Sequence, residues 1–426
     1  MRFLRNLNLP LFLVLFLILA ACEKQSAGTP TVPGPTDSET AEPTASSSPT
    51  QTPTTLPAPI ETTSEPEPTP AVTPVESGEI PRFDSPEYGV QAFLWWKPDI
   101  AVRDLGLIQD MKFEWVKQEF AWRDIETIEK GKYDWYRPDL IVDEVEKAGL
   151  KLLVRIDRQP FWTQPGEEPM ENRPPDDLAD FGDFCWALAD RYQGRIGAYQ
   201  VWNEPNLNRE WGNQPPNPAE YTELLKVCYE AIKSADPNAI VISAGLAPTG
   251  TQLPDAIPDD DYLQGMYDAG ADAYFDVLGL NAPGYKAPPE TSPDEAAVSA
   301  EYGNGRWFAF RHVEDMRQIM VANGDEARQI AILEMGWTTD QSDPNSIYYW
   351  HAVTEQEQAD YLVRAYEYAA ENWQPWIGLM TTIYIADYIW TPDQNEQWWW
   401  AITLPDGTPR PAYEALKVMR IEDLQQ

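Results

Sequence analysis

Short apolar runs rich in β-branched and aromatic residues alternate along the chain with longer segments whose apolar residues recur every three or four positions. Alternation of this kind predicts parallel strands joined by helices. Eight strands are predicted, at 88–93, 113–118, 152–157, 198–204, 240–244, 275–281, 329–334 and 379–384. Helices are predicted between them, among them 137–148, 177–192, 218–235, 313–322 and 355–372.

Eight strand–helix units predict an α/β fold, a (β/α)8 TIM barrel that occupies residues 81–426 as a single domain. A doubly wound open sheet is the alternative, but no glycine-rich phosphate loop follows an early strand. In a barrel, the loops at the carboxyl ends of the strands carry the functional side chains. Residues that leave the predicted strands are therefore the first candidates for chemistry.

The first 21 residues have the pattern of an export signal. Arg2 and Arg5 precede an apolar run at 11–19, which is short for a membrane span, and small residues lead directly to Cys22. The segment resembles a bacterial lipoprotein signal. That resemblance implies cleavage before Cys22, lipidation of this cysteine and anchoring outside the cytoplasm, at a cell membrane or cell surface. An ordinary secretory signal with an incidental cysteine is the alternative.

Residues 22–80 differ in composition from the rest of the chain. The stretch 23–80 lacks Phe, Trp and Tyr and is rich in Thr, Pro, Ser and Glu. Such a segment buries too little apolar surface to offset chain entropy, so it is predicted to be a disordered linker. It would serve as a stalk, or else as an unstructured leader without a spacing function.

The remaining composition restricts the class of ligand. With 31 basic and 69 acidic residues the formal net charge is -38, which disfavours nucleic acid and favours neutral or cationic ligands. Only two histidines are present, and there is no CxxC or HExxH, so no metal or organic cofactor is expected. Cys185 and Cys228 lie on apolar helix faces and are expected to be buried thiols rather than a disulfide. We expect a monomer.

Two predicted strands end in a glutamate. The fourth strand delivers Asn203 and Glu204 within Tyr-Gln-Val-Trp-Asn-Glu-Pro, and the seventh delivers Glu334 within Ile-Ala-Ile-Leu-Glu-Met-Gly-Trp. These strands lie across the barrel mouth from each other, leaving a gap for a sugar ring. Cleavage of a glycosidic bond requires two carboxyl groups of this kind. Taken singly, Glu204 could be a turn carboxylate and Glu334 a buried ion-pair partner.

Together these features resemble glycoside hydrolase clan A, whose (β/α)8 enzymes carry Asn-Glu-Pro after strand four and a second glutamate after strand seven. The resemblance covers residues 85–419 and is to the β-xylosidase-like and cellulase-like part of the clan, where the phrase at 120–126 and the ending at 400–413 have similar counterparts. It implies a retaining double displacement on β-linked glycans. Glu204 would be the acid/base and Glu334 the nucleophile, with carboxyl groups about 5 to 5.5 Å apart.

The resemblance also implies that Asn203 binds the sugar 2-hydroxyl and that Tyr285 holds the nucleophile, although either could be a turn or loop-packing residue. At Asn281 a histidine would be expected. Sugar rings stack on aromatic faces. Trp390 is therefore the expected floor of the central subsite, and Trp95 a further platform, with core packing as the alternative.

Lys117 and Arg155 leave the second and third strands, where side chains that bind sugar hydroxyls are expected. Ion pairs with Glu119 or Asp157 are the alternative. The sequence thus predicts a glycosidase acting on an oligo- or polysaccharide. A non-catalytic glycan-binding lipoprotein and a transglycosylase with the same site are the remaining possibilities.

Overall fold

The computed structural model describes residues 80–424, apart from 165, 167–169 and 171. The predicted signal 1–21, Cys22 and the predicted linker up to residue 79 lie outside the described residues. The described residues belong to one compact unit, Glu79–Gln426. Within that part of the chain, no helix is long and apolar enough to span a bilayer.

A closed barrel of eight parallel strands forms the centre of the fold, which confirms the predicted (β/α)8 TIM barrel. Each strand pairs with its neighbour in the sequence, and the first pairs with the last to close the ring. The strands are β1 Glu87–Gln91, β2 Trp115–Glu119, β3 Lys151–Ile156, β4 Ala198–Val201, β5 Ile240–Ile242, β6 Val277–Pro283, β7 Gln329–Gly336 and β8 Ile377–Thr382.

Helices follow the strands in sequence and cover the barrel. They are α1 Pro98–Asp110, α2 Trp122–Ile125, α3 Tyr136–Lys147, α4 Leu178–Arg191, α5 Pro218–Ala235, α6 Asp259–Asp268, α7 Pro293–Val298, α8 Val313–Ala322, α9 Glu355–Asn372, α10 Pro411–Val418 and α11 Ile421–Leu424. Several predicted bounds are matched because capping side chains fix the helix starts. Asn217 accepts hydrogen bonds from two backbone N–H groups of α5, and Thr354 forms a capping box with Glu357 at the start of α9.

Successive side chains of a strand point alternately into the barrel and out towards the helices. Trp115 and Leu153 belong to the apolar cluster inside the barrel, whereas Val116 and Val154 pack in the layer under the helices. Lys117 and Arg155 lie two positions beyond Trp115 and Leu153, so they continue the inward-facing row towards the mouth. Strand alternation therefore places two cations above the apolar interior.

A register irregularity in β7 changes where Glu334 points. Ile332 belongs to the outer layer and Leu333 to the interior, so strict alternation would direct Glu334 outward. Leu280 of β6 pairs with Ile332, but the next residue, Asn281, pairs with Glu334. The extra residue is a β-bulge, a feature that re-aims side chains next to active sites. It turns Glu334 towards the inward-facing cations.

The fourth strand is shorter than the predicted 198–204. It ends at Val201 because the backbone enters the left-handed region at Trp202, with φ of 71°, and again at Glu204, with φ of 44°. Non-glycine residues in this region cost about 1–3 kcal/mol each and are frequent at functional sites. The turn replaces straight strand geometry and sets the direction of the Glu204 side chain.

The expectation of two buried thiols is wrong: Cys185 and Cys228 form a disulfide. Cys185 lies on α4 and Cys228 on α5, and both side chains are fully buried between these neighbouring helices. The Cα atoms are 5.4 Å apart, within the distance that a disulfide requires. Helical spacing correctly predicted that both cysteines face the core, but not that the two faces oppose each other.

Candidate active site

Glu204 lies at the mouth of the barrel with both carboxylate oxygens engaged. Oε1 accepts a hydrogen bond from Asn281 Nδ2 at 3.0 Å, and Oε2 lies 2.7 Å from Arg209 Nη2. Its side chain is 15% exposed. Burial raises the pKa of Glu204, with the Arg209 charge opposing the rise and the Glu334 charge adding to it. A carboxyl group with a raised pKa is suited to donating a proton near neutral pH.

Asn281 reaches Glu204 because the facing backbone has no side chain. A Cβ atom on Gly245 would lie 2.3 Å from Asn281 Oδ1. The Gly245 carbonyl also accepts a hydrogen bond from the Glu204 backbone at 3.1 Å. Gly245 therefore holds Glu204 through its backbone while leaving room for the Asn281 amide that contacts the Glu204 carboxylate.

Glu334 lies beside two cations. Lys117 Nζ donates to Glu334 Oε1 at 3.2 Å and to the Leu333 carbonyl at 3.0 Å, and Arg155 Nη1 lies 3.5 Å from the same Oε1. Burial lowers the pKa of Lys117 to about 8, against the opposing effect of the Glu334 charge. Both cations thus contact Oε1 of Glu334, and Oε2 is the carboxylate oxygen that lies farther from them.

Arg155 also forms the ion pairs that were the alternative to sugar binding. Its guanidinium contacts Glu119 Oε1 at 2.6 Å and Asp157 Oδ2 at 3.0 Å, and Arg158 contacts the same Glu119 oxygen. Burial raises the pKa of Asp157 to about 7, while the Arg155 charge opposes the rise. Arg155 therefore joins Glu334 to a charged cluster formed by Glu119, Asp157 and Arg158. Lys117 forms its ion pair with Glu334.

Asn203 lies next to Glu204 and is 8% exposed. Its Oδ1 accepts a hydrogen bond from Gln200 Nε2 at 3.2 Å, and its backbone forms a bridge with Gly245. The side-chain carbonyl is thus oriented by the protein.

Tyr285 is half-buried and has a left-handed backbone, with φ of 48°. Its hydroxyl donates to the Pro248 carbonyl at 3.0 Å, and its ring packs on Phe308 and Trp350. Burial raises the pKa of this hydroxyl, and the Glu204 charge contributes. In this structure the contacts to Glu334 come from Lys117 and Arg155, while the Tyr285 hydroxyl is engaged with the loop after β5.

Trp390 belongs to an aromatic group beyond β8. Its ring centroid is 4.8 Å from Phe93 and 5.3 Å from Tyr384, and it is half-buried. Trp95 is 9% exposed and packs edge-on against Phe120 at 5.7 Å. Trp390 thus retains an accessible ring, whereas most of the Trp95 ring is used in packing.

Four residues near the glutamates were missed by the sequence reasoning: Arg209, Tyr348, Tyr384 and Glu396. The charge of Glu204 contributes to the raised pKa values of the last three, and that of Glu334 also acts on Tyr384. Burial is the largest cause at each of them, and the Glu396 carboxylate accepts from Trp400 Nε1 at 2.8 Å. Tyr384 lies two residues after the end of β8, so the rule that functional side chains follow the strands could have identified it from the sequence. The others lie on loops and carried no such signal.

The arrangement offers a proton donor, a charge-balanced carboxylate and aromatic surfaces within one mouth. Over the described residues, no group of three or more His, Cys, Asp or Glu side chains is arranged to hold a metal ion. What the site can supply from its own side chains is general acid/base and nucleophilic chemistry.

Comparisons by sequence found no relative: no protein-family model and no curated protein matches the chain. Solved structures with the same barrel do match. A family 39 glycoside hydrolase from Bacteroides cellulosilyticus WH2 is similar over 78% of this chain and 63% of its own, with 21% identity and a TM-score of 0.57. GH5_18 from Streptomyces cattleya, in complex with GlcNAc, is similar over 81% of both chains, with 13% identity and a TM-score of 0.58. Xylanase 10B from Thermotoga maritima is similar over 79% of this chain and 95% of its own, with 16% identity and a TM-score of 0.51.

These neighbours share the eight-stranded parallel barrel. The chain spans only 63% of the length of the family 39 protein. At such identities the likeness concerns the fold, so any activity must be argued from this chain's own residues.

Proposed function

We propose that the protein is a retaining β-glycosidase that hydrolyses O-glycosidic bonds of an oligo- or polysaccharide. One observation carries the proposal. Glu204, with its pKa raised by burial, and Glu334, contacted by two cations, both lie at the carboxyl ends of barrel strands, β4 and β7, and the charge of Glu334 adds to the rise in the pKa of Glu204. Two carboxyl groups with different environments are what acid/base and nucleophilic roles require.

In the first step, Glu334 attacks the anomeric carbon and the bond to the leaving oxygen breaks. Glu204 transfers its proton to that oxygen, which departs as an alcohol. We assign the attack to Oε2 of Glu334, because Lys117 and Arg155 both approach Oε1. A covalent glycosyl ester is formed, and Glu204 is left as a carboxylate.

In the second step, Glu204 removes a proton from water and the resulting oxygen forms a bond to the anomeric carbon. The ester bond to Glu334 breaks, and its carboxylate returns to Lys117 and Arg155. Glu204 is protonated again, so the site is restored without another reactant. Two inversions give net retention at the anomeric centre.

Sugar binding is assigned to residues around the two glutamates. Asn203 would meet the 2-hydroxyl, whose hydrogen bond strengthens as positive charge develops at the anomeric carbon. Trp390 and Tyr384 offer aromatic surface for the C–H face of a sugar. Arg155 would act through Glu334 and the charged cluster, and Tyr285 through the loop it anchors.

We also propose that the enzyme works outside the cytoplasm, anchored by a lipid at Cys22. The buried Cys185–Cys228 disulfide supports this location, because disulfides persist in oxidising compartments. Globomycin treatment of the native host or a bacterial expression host tests the anchor, since it blocks signal cleavage before a lipidated cysteine. Incorporation of labelled palmitate into the wild type but not into Cys22→Ser would agree with the assignment, and the absence of label from the wild type would contradict it.

The activity is tested with aryl β-glycosides and with β-glucan, xylan and mannan polymers. Wild-type protein is compared with Glu204→Ala and Glu334→Ala, and product anomers are followed by NMR. Hydrolysis with retained configuration that is lost in both variants is the expected outcome. Full activity in either variant, or an inverted first product, would overturn the mechanism. Glycan binding without turnover by the wild type would instead indicate the receptor function.

A further inference from the structure

A cavity of about 220 Å³ opens beside the barrel mouth, between the loop after β1 and the segment that joins β2 to α3. Neither proposed catalytic glutamate lines it. We call it the Trp96 cavity, and its lining residues are Trp95, Trp96, Asp124, Thr127, Asp134 and Arg137. Its volume is comparable to that of a single sugar ring.

Trp96 is a large aromatic surface left open to solvent, with 49% of the residue exposed. It is nevertheless fixed in place. The Arg137 guanidinium lies 5.6 Å from the Trp96 ring centroid, and Arg137 Nη1 donates to the backbone carbonyls of both Trp95 and Trp96. An indole held in this way presents its ring at little further entropic cost on binding.

The polar side chains of the cavity suit hydroxyl groups. Asp124, Thr127 and Asp134 are all exposed beside the Trp96 ring. Carboxylates accept hydrogen bonds from sugar hydroxyls, while the apolar C–H face of a sugar stacks on an indole. The two carboxylates also disfavour an anionic ligand. Arg137 does not offset this effect, because its guanidinium already donates to the backbone carbonyls of Trp95 and Trp96. The matching ligand is therefore a neutral carbohydrate.

The cavity is tied to the strand that contacts the proposed nucleophile. The Leu94 backbone donates to Gln118 Oε1 at 2.6 Å, which fixes the loop that carries Trp95 and Trp96 to β2. The residue before Gln118 is Lys117, whose ammonium group contacts Glu334. This hydrogen bond therefore braces the loop that lines the cavity against the same strand that contacts Glu334.

From these observations we infer that the Trp96 cavity is a binding subsite for a neutral sugar unit of the substrate chain, away from the bond that is cleaved. This inference rests on the proposed function. It implies that the enzyme prefers extended glycans over disaccharides, because only a longer chain occupies both the catalytic centre and the cavity.

The test compares Trp96→Ala and Trp96→Phe with a matched control, Trp186→Ala. Trp186 is on α4, is 46% exposed and does not line the cavity. Full-length protein is assayed with cello-, xylo- and manno-oligosaccharides of two to six units and with the aryl glycoside that is turned over. We expect Trp96→Ala to lower kcat/KM for the hexasaccharide about tenfold, the equivalent of about 1.4 kcal/mol. The loss in kcat/KM should become smaller as the substrate becomes shorter, and it should be smaller in Trp96→Phe than in Trp96→Ala. Trp186→Ala should behave as wild type at every substrate length.

An equal loss at every chain length, or no loss for the hexasaccharide, would overturn the inference while leaving the proposed function intact. If no substrate is hydrolysed, the proposed function fails, and calorimetric titration of wild type with the same hexasaccharides tests the cavity by itself. Binding that is weakened in Trp96→Ala but not in Trp186→Ala would support it. No binding of any hexasaccharide by the wild type would contradict it.

Discussion

Arg209 forms an ion pair with Glu204, with Nη2 2.7 Å from Oε2, although 45% of the arginine side chain is exposed. The guanidinium stabilises the ionised form of Glu204, the residue that must be protonated for the proposed first step. Among the described residues, the main titratable groups besides Arg209 whose charges act on or respond to Glu204 are Glu334, Glu210, Glu396, Tyr285, Tyr348 and Tyr384. Arg209 is the cation among these groups, so it opposes the combined effect of burial and negative charge.

Replacement of Arg209 should therefore shift the pH profile. Without the cation the pKa of Glu204 rises further, so the acid form persists to higher pH. In Arg209→Gln, the basic limb of the kcat/KM profile should move up by about one pH unit. Arg191→Gln, which removes an exposed ion pair with Asp139 on the helical layer, is the control and should leave the profile unchanged. A shift to lower pH in Arg209→Gln would refute the assignment of Glu204 as the acid.

Lys117 gives a second pH effect that is separable from the first. A substrate with a 2,4-dinitrophenyl leaving group needs little acid assistance, so its glycosylation reports on Glu334 rather than Glu204. Lys117 has a pKa lowered by burial to about 8, and it loses its charge as the pH rises through that value. Pre-steady-state rates of glycosylation should fall over this range. Lys117→Met should lose about a hundredfold in this rate at neutral pH and lack the decline near pH 8. A variant rate equal to wild type at neutral pH would show that Lys117 has no part in positioning the nucleophile.

Azide should distinguish the two glutamates. In Glu334→Ala, azide can enter the space of the missing carboxylate and attack from the nucleophile's side, which gives an α-glycosyl azide. In Glu204→Ala, azide attacks the glycosyl ester and gives a β-glycosyl azide. NMR of the products from an activated aryl β-glycoside reports both outcomes. The opposite pair of anomers would mean that the two roles are exchanged.

Gly245 and Asn281 should be energetically coupled. A Cβ atom in Gly245→Ala would lie 2.3 Å from Asn281 Oδ1 and displace the amide from Glu204. We expect Gly245→Ala and Asn281→Ala each to lower kcat about tenfold, in line with loss of a hydrogen bond to a charged group. The double variant should be little worse than either single variant, since both remove the same contact. Additive losses in a double-mutant cycle would argue against this coupling.

The disulfide should contribute to stability and not to catalysis. Cys185 and Cys228 are separated by 43 positions, for which the chain-entropy model gives about 4 kcal/mol. Cys185→Ser/Cys228→Ser should therefore unfold at lower urea concentration than wild type without reductant, with kcat unchanged. Dithiothreitol should bring the wild type close to the variant. Equal midpoints under both conditions would mean that the bond has no stabilising effect.

Local sequence determined much of the barrel. Apolar runs, capping residues and helical periodicity act within a few positions, so they specified all eight strands and the bounds of helices such as α5 and α9. The same reasoning placed Glu204 and Glu334 at strand ends, because a parallel barrel gathers all carboxyl ends on one face.

Tertiary structure decided what those side chains contact. Strict alternation would turn Glu334 outward, and only the irregular pairing of β7 with β6 directs it to Lys117 and Arg155. The partners of Glu204 are Arg209, which lies beyond β4 in the chain, and Asn281 of β6, which is two strands away from β4 in the barrel. Contacts of this kind depend on register and loop path, which are set by packing between segments distant in sequence. The disulfide has the same origin, because helix faces can be predicted one at a time, whereas the opposition of two faces is a property of the assembled barrel.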